Sequence, residues 1–292
     1  MKNRKGIILA GGTGSRLWPI TLPVCKQLLP VYNKPMIYYP LSTLMLAGIR
    51  EILIITNPND LNSFKNLLGD GSKFGIEISY KEQLEPKGIA EAFLIGKEFL
   101  DDSSCALILV DNIFYGSGFS ELLNQQSSLD NESMVFAYYV NDPENFGICE
   151  FNENDVPNRI IEKPKNSISN WAITGLYFYD NEISKIAKQI TPSARGELEI
   201  SDINQFYLQN KSLGVYKLGR GYAWLDAGTN DNLLKASQFV KMVEELQGLK
   251  IGCPEEIAWR MGFISDKNLD MLIANYKGVE YADYLRSILK EK

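Results

Sequence analysis

The sequence predicts an α/β fold: a Rossmann-like, mostly parallel sheet covered by helices, then a strand-rich extension and a helical C-terminal tail. Three observations predict it. Short apolar runs alternate with helical patterns through the first half, as βα units do. The first and fourth runs are apolar nearly throughout, as expected of strands buried on both faces. Beyond about residue 141 the pattern turns strand-rich, and from about residue 229 it is helical. In order, the first half has strands at 6–10, 52–56, 76–80, 106–110 and 135–140, with helices at 36–47, 59–68, 88–99 and 118–126. The extension has strands at 147–151, 159–162, 172–179 and 214–218, interrupted by helices at 181–189 and 200–209. The tail carries helices at 232–245, 254–261 and 266–277. The expected organisation is one core over residues 1–228, in halves of about 1–140 and 141–228, and an appendage over 229–292.

Composition narrows the chemistry. A content of 45% apolar residues is ordinary for a globular chain. A net charge of −6 argues against a nucleic-acid polymer as partner, so an anionic ligand must be held by locally placed cations. Cys25, Cys105, Cys149 and Cys253 lie far apart without a CxxC pair and are expected to be free thiols in a reducing cytosol. The basic N-terminus precedes an apolar run of only about five residues, too short for a signal peptide or membrane span. A cytoplasmic protein without a membrane partner is expected. There is no histidine, which excludes Ser-His-Asp hydrolases, Cys-His proteases and HExxH metalloenzymes. Carboxylates, cations, backbone and metal remain.

The first predicted strand runs into Gly11-Gly12-Thr13-Gly14-Ser15-Arg16-Leu17, and Lys26 follows. Ligands of open parallel sheets sit beyond the C-terminal strand ends, where this loop falls. Leu17 breaks the dinucleotide GxGxxG pattern and no GK[ST] follows, so the glycines alone fit a tight turn equally well. With Arg16 and Lys26 beside them they read as a polyphosphate site. Asp111 directly follows the apolar run 107–110, and Asp226 has a similar setting in 221–229. Each also fits an N-cap or Asx turn. Two such carboxylates suit one Mg²⁺ shared with substrate phosphates, although sequence alone does not bring them together. Lys163 and Arg195 are further anion-binding candidates that read equally as surface charges. Gln83 has an amide able to pair with a base edge and reads equally as a polar loop residue.

Together these segments resemble the sugar-phosphate nucleotidyltransferase family, most closely its members that make dTDP-glucose. The likeness rests on the glycine loop through Arg16, on Lys26-Gln27-Leu28-Leu29-Pro30-Val31-Tyr32 and on Pro35-Met36-Ile37-Tyr38-Tyr39-Pro40-Leu41. It continues through Asp111-Asn112-Ile113-Phe114-Tyr115-Gly116, Glu162-Lys163-Pro164, the 174–180 and 193–200 segments and Cys253-Pro254-Glu255-Glu256-Ile257-Ala258. The resemblance implies transfer of a deoxythymidylyl group from dTTP to α-D-glucose 1-phosphate, giving dTDP-glucose and pyrophosphate for dTDP-rhamnose-type deoxysugar biosynthesis. It assigns Leu9, Gly11, Gly12, Gly14, Ser15, Arg16, Gln27, Gln83, Gly88 and Asp111 to the nucleotide, with Leu9, Gln83 and Gly88 at thymine and deoxyribose. It assigns Asn112, Gly147, Glu162, Lys163, Ile173 and Arg195 to the sugar-phosphate half, and Asp111 and Asp226 to Mg²⁺. Arg16, Lys26, Asp111, Lys163 and Asp226 form the implied catalytic set. A homotetramer is implied too, with a second nucleotide site for feedback inhibition involving Tyr115, Gly116, Gly219 and Arg220.

The chain departs from the family pattern in places. Val110 stands where glycine is common, Phe146 where tyrosine is, and Cys25 where serine is; Ser117 and Asn230 replace histidines. None removes a cation or a metal ligand, so these departures bear on substrate choice. The same chemistry with UTP or another hexose 1-phosphate is the nearest alternative. A non-catalytic nucleotide-sensing subunit is the alternative from another class, and the intact cations and carboxylates oppose it. A Rossmann oxidoreductase is opposed by Leu17.

Overall fold

Strand β1 (Lys5–Ala10) runs through the middle of a nine-stranded sheet. The computed structural model describes residues 4–129, 132–276 and 278–290. The other strands, in chain order, are β2 (Pro30–Val31), β3 (Lys34–Pro35), β4 (Glu51–Thr56), β5 (Glu77–Glu82), β6 (Cys105–Leu109) and β7 (Asn112–Gly116). They continue with β8 (Ser133–Tyr139), β9 (Gly147–Phe151), β10 (Pro157–Glu162), β11 (Trp171–Tyr179), β12 (Leu213–Leu218) and β13 (Tyr222–Asp226). The sheet order is β10-β9-β11-β6-β1-β4-β5, with β8 beside β11 and β12 beside β8.

Strands β1, β4, β5 and β6 are mutually parallel, as the βα alternation predicts. Their alternate residues serve different cores, because side chains along a strand point to opposite faces. Ile8, Ile52, Ile54 and Ile108 join the core under helices Tyr38–Leu46 and Leu61–Leu68. Ile7, Leu53, Ile55 and Leu107 join the core under Glu91–Ile95, Ile183–Ala187 and Ile200–Gln209. All eight are fully buried, which explains why these strands read as unbroken apolar runs.

The extension is not a separate layer. Strand β11 runs antiparallel to β6 through Leu176–Tyr179 and to β9 through Trp171 and Ala172, so it stitches both halves into one sheet. Its pairing with β8 shifts register between Ile173 and Tyr177. The tail is also tied in. Helix Asn230–Gln247 shares a core with Val31, Met36, Tyr39 and Ile113, and a buried Lys34–Glu244 ion pair of 2.6 Å crosses the same contact.

Four differences from the expected elements stand out. The single helix expected over 88–99 is two short ones, Glu91–Ile95 and Lys97–Leu100. At their junction a Cβ on Gly96 would lie 2.9 Å from the Ala92 carbonyl and 3.1 Å from Ile7, so glycine permits the close approach to β1. Strands β7 and β13 form an unexpected two-stranded antiparallel sheet. Helix Glu280–Lys290 is a further addition. The expected 266–277 helix runs over Asp266–Asn275, and its last expected position, Lys277, lies outside the described residues. Among the described residues no helix is long and apolar enough to cross a membrane.

Candidate active site

Two cavities open side by side above the C-terminal ends of β1 and β6. The first, of about 290 Å³, is walled by Leu9, the Gly11–Arg16 loop, Lys26, Gln27, Leu109, Val110, Asp111 and Gly228. The second, of about 170 Å³, is lined by Asn112, Asn145, Phe146, Gly147, Glu162, Lys163, Ile173, Tyr177, Ser201, Trp224 and Asp226, among others. Arg16, Leu109 and Asp111 belong to both. The boundary between them is therefore a cation and a carboxylate.

Local backbone explains the glycines of the loop. Gly12 and Gly14 have φ of 93° and 63°, where a side chain is strained. Gly11 is required for space, because its Cβ would lie 2.0 Å from Gln83 Oε1. Gln27 is buried, and its side-chain amide nitrogen Nε2 donates to the Gly11 carbonyl at 3.0 Å. It thus shapes the loop from behind while forming part of the cavity wall.

The two aspartates meet through the β7–β13 pair. Asp226 is the register partner of Asn112, next to Asp111, and Ala227 N donates to the Asp111 carbonyl at 2.8 Å. Asn112 is the fixed point of this arrangement. Its Oδ1 accepts from Gly175 N at 2.9 Å and Trp224 Nε1 at 2.6 Å, and its Nδ2 donates to Asp111 Oδ1 at 3.0 Å. Every polar atom of the amide is engaged, so Asp111 is held in one orientation.

The carboxylates differ electrostatically. Burial pushes Asp111 upward, but the Lys26 ammonium at 2.5 Å and the Arg16 guanidinium outweigh it and hold the carboxyl below its ordinary range. Asp226 is pushed up to about 6 by burial and by the Asp111 charge, with Lys26 and Arg16 only partly offsetting them. Gly228 N donates to Asp226 Oδ1 at 2.8 Å. A divalent cation fits this donor set: two converging carboxylates whose mutual repulsion the protein's cations leave partly uncompensated. Among the described residues no group of three or more His, Cys, Asp or Glu converges, so substrate oxygens would complete such a site.

In the second cavity Glu162 is the main acceptor. Ser201 Oγ donates to Glu162 Oε2 at 2.5 Å, and a Cβ on Gly147 would come within 2.8 Å of that hydroxyl. Lys163 has φ of 41° and its N–H donates to the Phe146 carbonyl at 3.0 Å. Phe146 and Trp224 meet edge to face with centroids 5.2 Å apart and supply an apolar wall.

Most of the expected residues converge here. Leu9, Gly11, Gly12, Gly14, Ser15, Arg16, Lys26, Gln27 and Asp111 wall the first cavity; Asn112, Gly147, Glu162, Lys163, Ile173 and Asp226 line the second. Gln83 and Gly88 line neither. Gln83 is buried behind Gly11 with its Nε2 donating to Glu91 at 2.7 Å, and Gly88 packs against the Leu198 backbone. Arg195 also stays outside the second cavity, bound to Glu199 at 2.9 Å and reaching Glu162 at 3.4 Å. Tyr115, Gly116, Gly219 and Arg220 lie at the other end of the β7–β13 pair, where Gly116 faces Tyr222. Sequence reasoning missed Ser201, Asn145, Tyr177 and the wall role of Trp224. Only the Ser201 hydroxyl beside a helix start carried a local signal, and it does not point to Glu162.

The family model described as Nucleotidyl transferase matches residues 5–242. A glucose-1-phosphate thymidylyltransferase from Neisseria meningitidis is 57% identical over 287 residues, covering 98% of this chain and 100% of the relative. One from Mycobacterium tuberculosis is 50% identical over 286 residues, covering 98% and 99%. Among solved structures, one from Bacillus anthracis ascribed to a glucose-1-phosphate thymidylyltransferase, in complex with a sucrose, aligns with a TM-score of 0.74 at 38% identity over 81% of this chain and 94% of that one. A UDP-glucose pyrophosphorylase complexed with UDP-glucose has the same fold, with a TM-score of 0.72 at 24% identity over 83% and 100%. A glycine loop ending in a cation, a half-buried aspartate pair and near full-length likeness to these enzymes agree: the chain belongs to the nucleotidyl transferase family, among the glucose-1-phosphate thymidylyltransferases.

Proposed function

We propose that the protein transfers a deoxythymidylyl group from dTTP to α-D-glucose 1-phosphate, releasing pyrophosphate and giving dTDP-glucose. One observation carries the reading: two adjoining cavities share Arg16 and Asp111 at their boundary, where two anionic reactants would meet. The names of the relatives, which match end to end, support the substrate pair.

Repulsion is the problem the site must solve. At ~4 Å each pair of unit charges costs ~4 kcal/mol at an effective dielectric near 20. Arg16 and Lys26 face the triphosphate in the first cavity, and Lys163 faces the sugar phosphate in the second. Asp111 and Asp226 would hold Mg²⁺, whose chemistry is charge neutralisation of the phosphates. Glu162, set by Ser201, accepts from sugar hydroxyls, and Gly147 leaves room for the ring beside them. The phosphate monoester has its second pKa near ~6 and is mostly dianionic at pH 7, so it attacks the α-phosphorus without a general base. A chain without histidine is suited to that route. Catalysis then rests on positioning and fixed charge. Gln83, behind Gly11, and Gly88 would meet thymine and deoxyribose once the nucleotide is bound, and Arg195 would steer Glu162 from outside the second cavity.

The reading includes a cytoplasmic homotetramer with a second, inhibitory nucleotide site at Tyr115, Gly116, Gly219 and Arg220. Its support is the placement of these residues at the end of the β7–β13 pair remote from the carboxylates. Pyrophosphate release from dTTP and glucose 1-phosphate, with and without Mg²⁺, tests the activity. Release that requires both substrates and the metal is expected; none under saturating conditions overturns the reading.

A further inference from the structure

A side chain outside both cavities bonds to the glycine loop. Strands β1 and β4 run parallel with Ala10 opposite Thr56, so Asn57 leaves β4 beside Gly11. Pro58 follows, and the residue before a proline is confined to extended backbone. Asn57 is extended, with φ −64° and ψ 147°. From there its Nδ2 donates to the Gly12 carbonyl at 2.8 Å and lies 3.3 Å from Asp60 Oδ2. Gln27 takes the Gly11 carbonyl in the same way at 3.0 Å. Two consecutive loop carbonyls are thus held by side-chain amides. Among the described residues the N–H groups of Gly12, Thr13 and Gly14 donate to nothing. Free N–H groups in succession, beside Arg16 and Lys26, are what an anion-binding concavity requires.

We propose that Asn57 is a positioning residue for the polyphosphate: by holding the Gly12 carbonyl it keeps the loop N–H groups turned toward the ligand. The proposal rests on the reading of this loop as the triphosphate site. It assigns Asn57 no contact with the substrate. Asp60 and Pro58 preset the amide, so the clamp exists before the ligand arrives and little ordering remains to be done on binding.

The test compares Asn57→Ala and Asn57→Asp with the parental enzyme, using dTTP, inorganic tripolyphosphate and glucose 1-phosphate as titrants. Asn57→Ala is expected to weaken dTTP and tripolyphosphate by a common factor of about tenfold, the loss of one positioned hydrogen bond, and to leave glucose 1-phosphate unchanged. Asn57→Asp cannot donate to the carbonyl and sets a second carboxylate beside Asp60, so it should weaken both polyphosphates further. Unchanged dTTP and tripolyphosphate binding in Asn57→Ala, or equal weakening of glucose 1-phosphate, overturns the clamp. A parental protein that binds neither polyphosphate overturns it as well. A parental protein that binds tripolyphosphate with the expected variant pattern, yet releases no pyrophosphate, overturns the activity and supports the clamp.

Discussion

Asp226 and Asn112 face one another across the β7–β13 pair, and that register places the Asp226 carboxylate against Asp111. A short antiparallel contact between distant segments therefore builds the candidate metal site. Asp226 is held there at an electrostatic disadvantage, pushed up to about 6 by burial and by its neighbour's charge. Replacing it with asparagine keeps the shape and removes the repulsion. Asp226→Asn is expected to reduce turnover by a factor on the order of 10² or more without lowering the thermal midpoint. Calorimetry and a pyrophosphate assay on one preparation check both halves.

Lys26 and Asp111 form a largely buried ion pair of 2.5 Å. Removing one partner leaves the other uncompensated, which typically costs about 3 kcal/mol or more. Lys26→Ala should therefore lose both turnover and stability. Lys26→Ala combined with Asp111→Asn should recover most of the stability and none of the activity. Denaturant unfolding of the two single variants and the double variant measures the coupling.

Gly175 offers a separate handle on Asn112. A Cβ at Gly175 would lie 2.6–2.7 Å from the Asn112 side-chain amide, and the amide has no free direction in which to move. Gly175→Ala is expected to cost about 1–3 kcal/mol through overpacking and to lower kcat through misorientation of Asp111. Unfolding and steady-state kinetics read the two effects.

Much of this site was legible in sequence because its determinants are local. The glycine loop, Arg16 and Lys26 sit within one stretch after an apolar strand, and the parallel register of β1, β4 and β6 carries them to the same edge as Asp111. The meeting of Asp111 with Asp226 was implied by the family resemblance and was not legible in their spacing. Strands β7 and β13 are five residues each, and their pairing is long-range. Ser201 was missed for the same kind of reason. Its hydroxyl bonds Glu162, and only the packing of helix Ile200–Gln209 beside β10 brings them together. Gln83, read as an amide for a base edge or as a polar loop residue, is buried and wedged behind Gly11, a placement that its loop sequence does not signal.

Ser201→Ala follows from that geometry. Glu162 loses its 2.5 Å donor while the triphosphate cavity is untouched. KM for glucose 1-phosphate should rise about three- to tenfold and KM for dTTP should stay constant. Initial rates over both substrate concentrations separate the two.

Cys25 gives a chemical probe of the segment that carries Lys26. Burial, reinforced by the Asp60 charge, pushes its thiol up to about 12 from an ordinary 9.0. At pH 8 the reactive thiolate is then depleted by ~10³ relative to an ordinary cysteine. Iodoacetamide should label it correspondingly slowly, with mass spectrometry of the Cys25 peptide as the readout; labelling at the rate of a free thiol contradicts this environment.

The most direct test of the central claim is pyrophosphate release measured across the four common nucleoside triphosphates and a panel of hexose 1-phosphates. The highest kcat/KM is expected with dTTP and glucose 1-phosphate. No release with that pair, or a higher kcat/KM with another, contradicts the account.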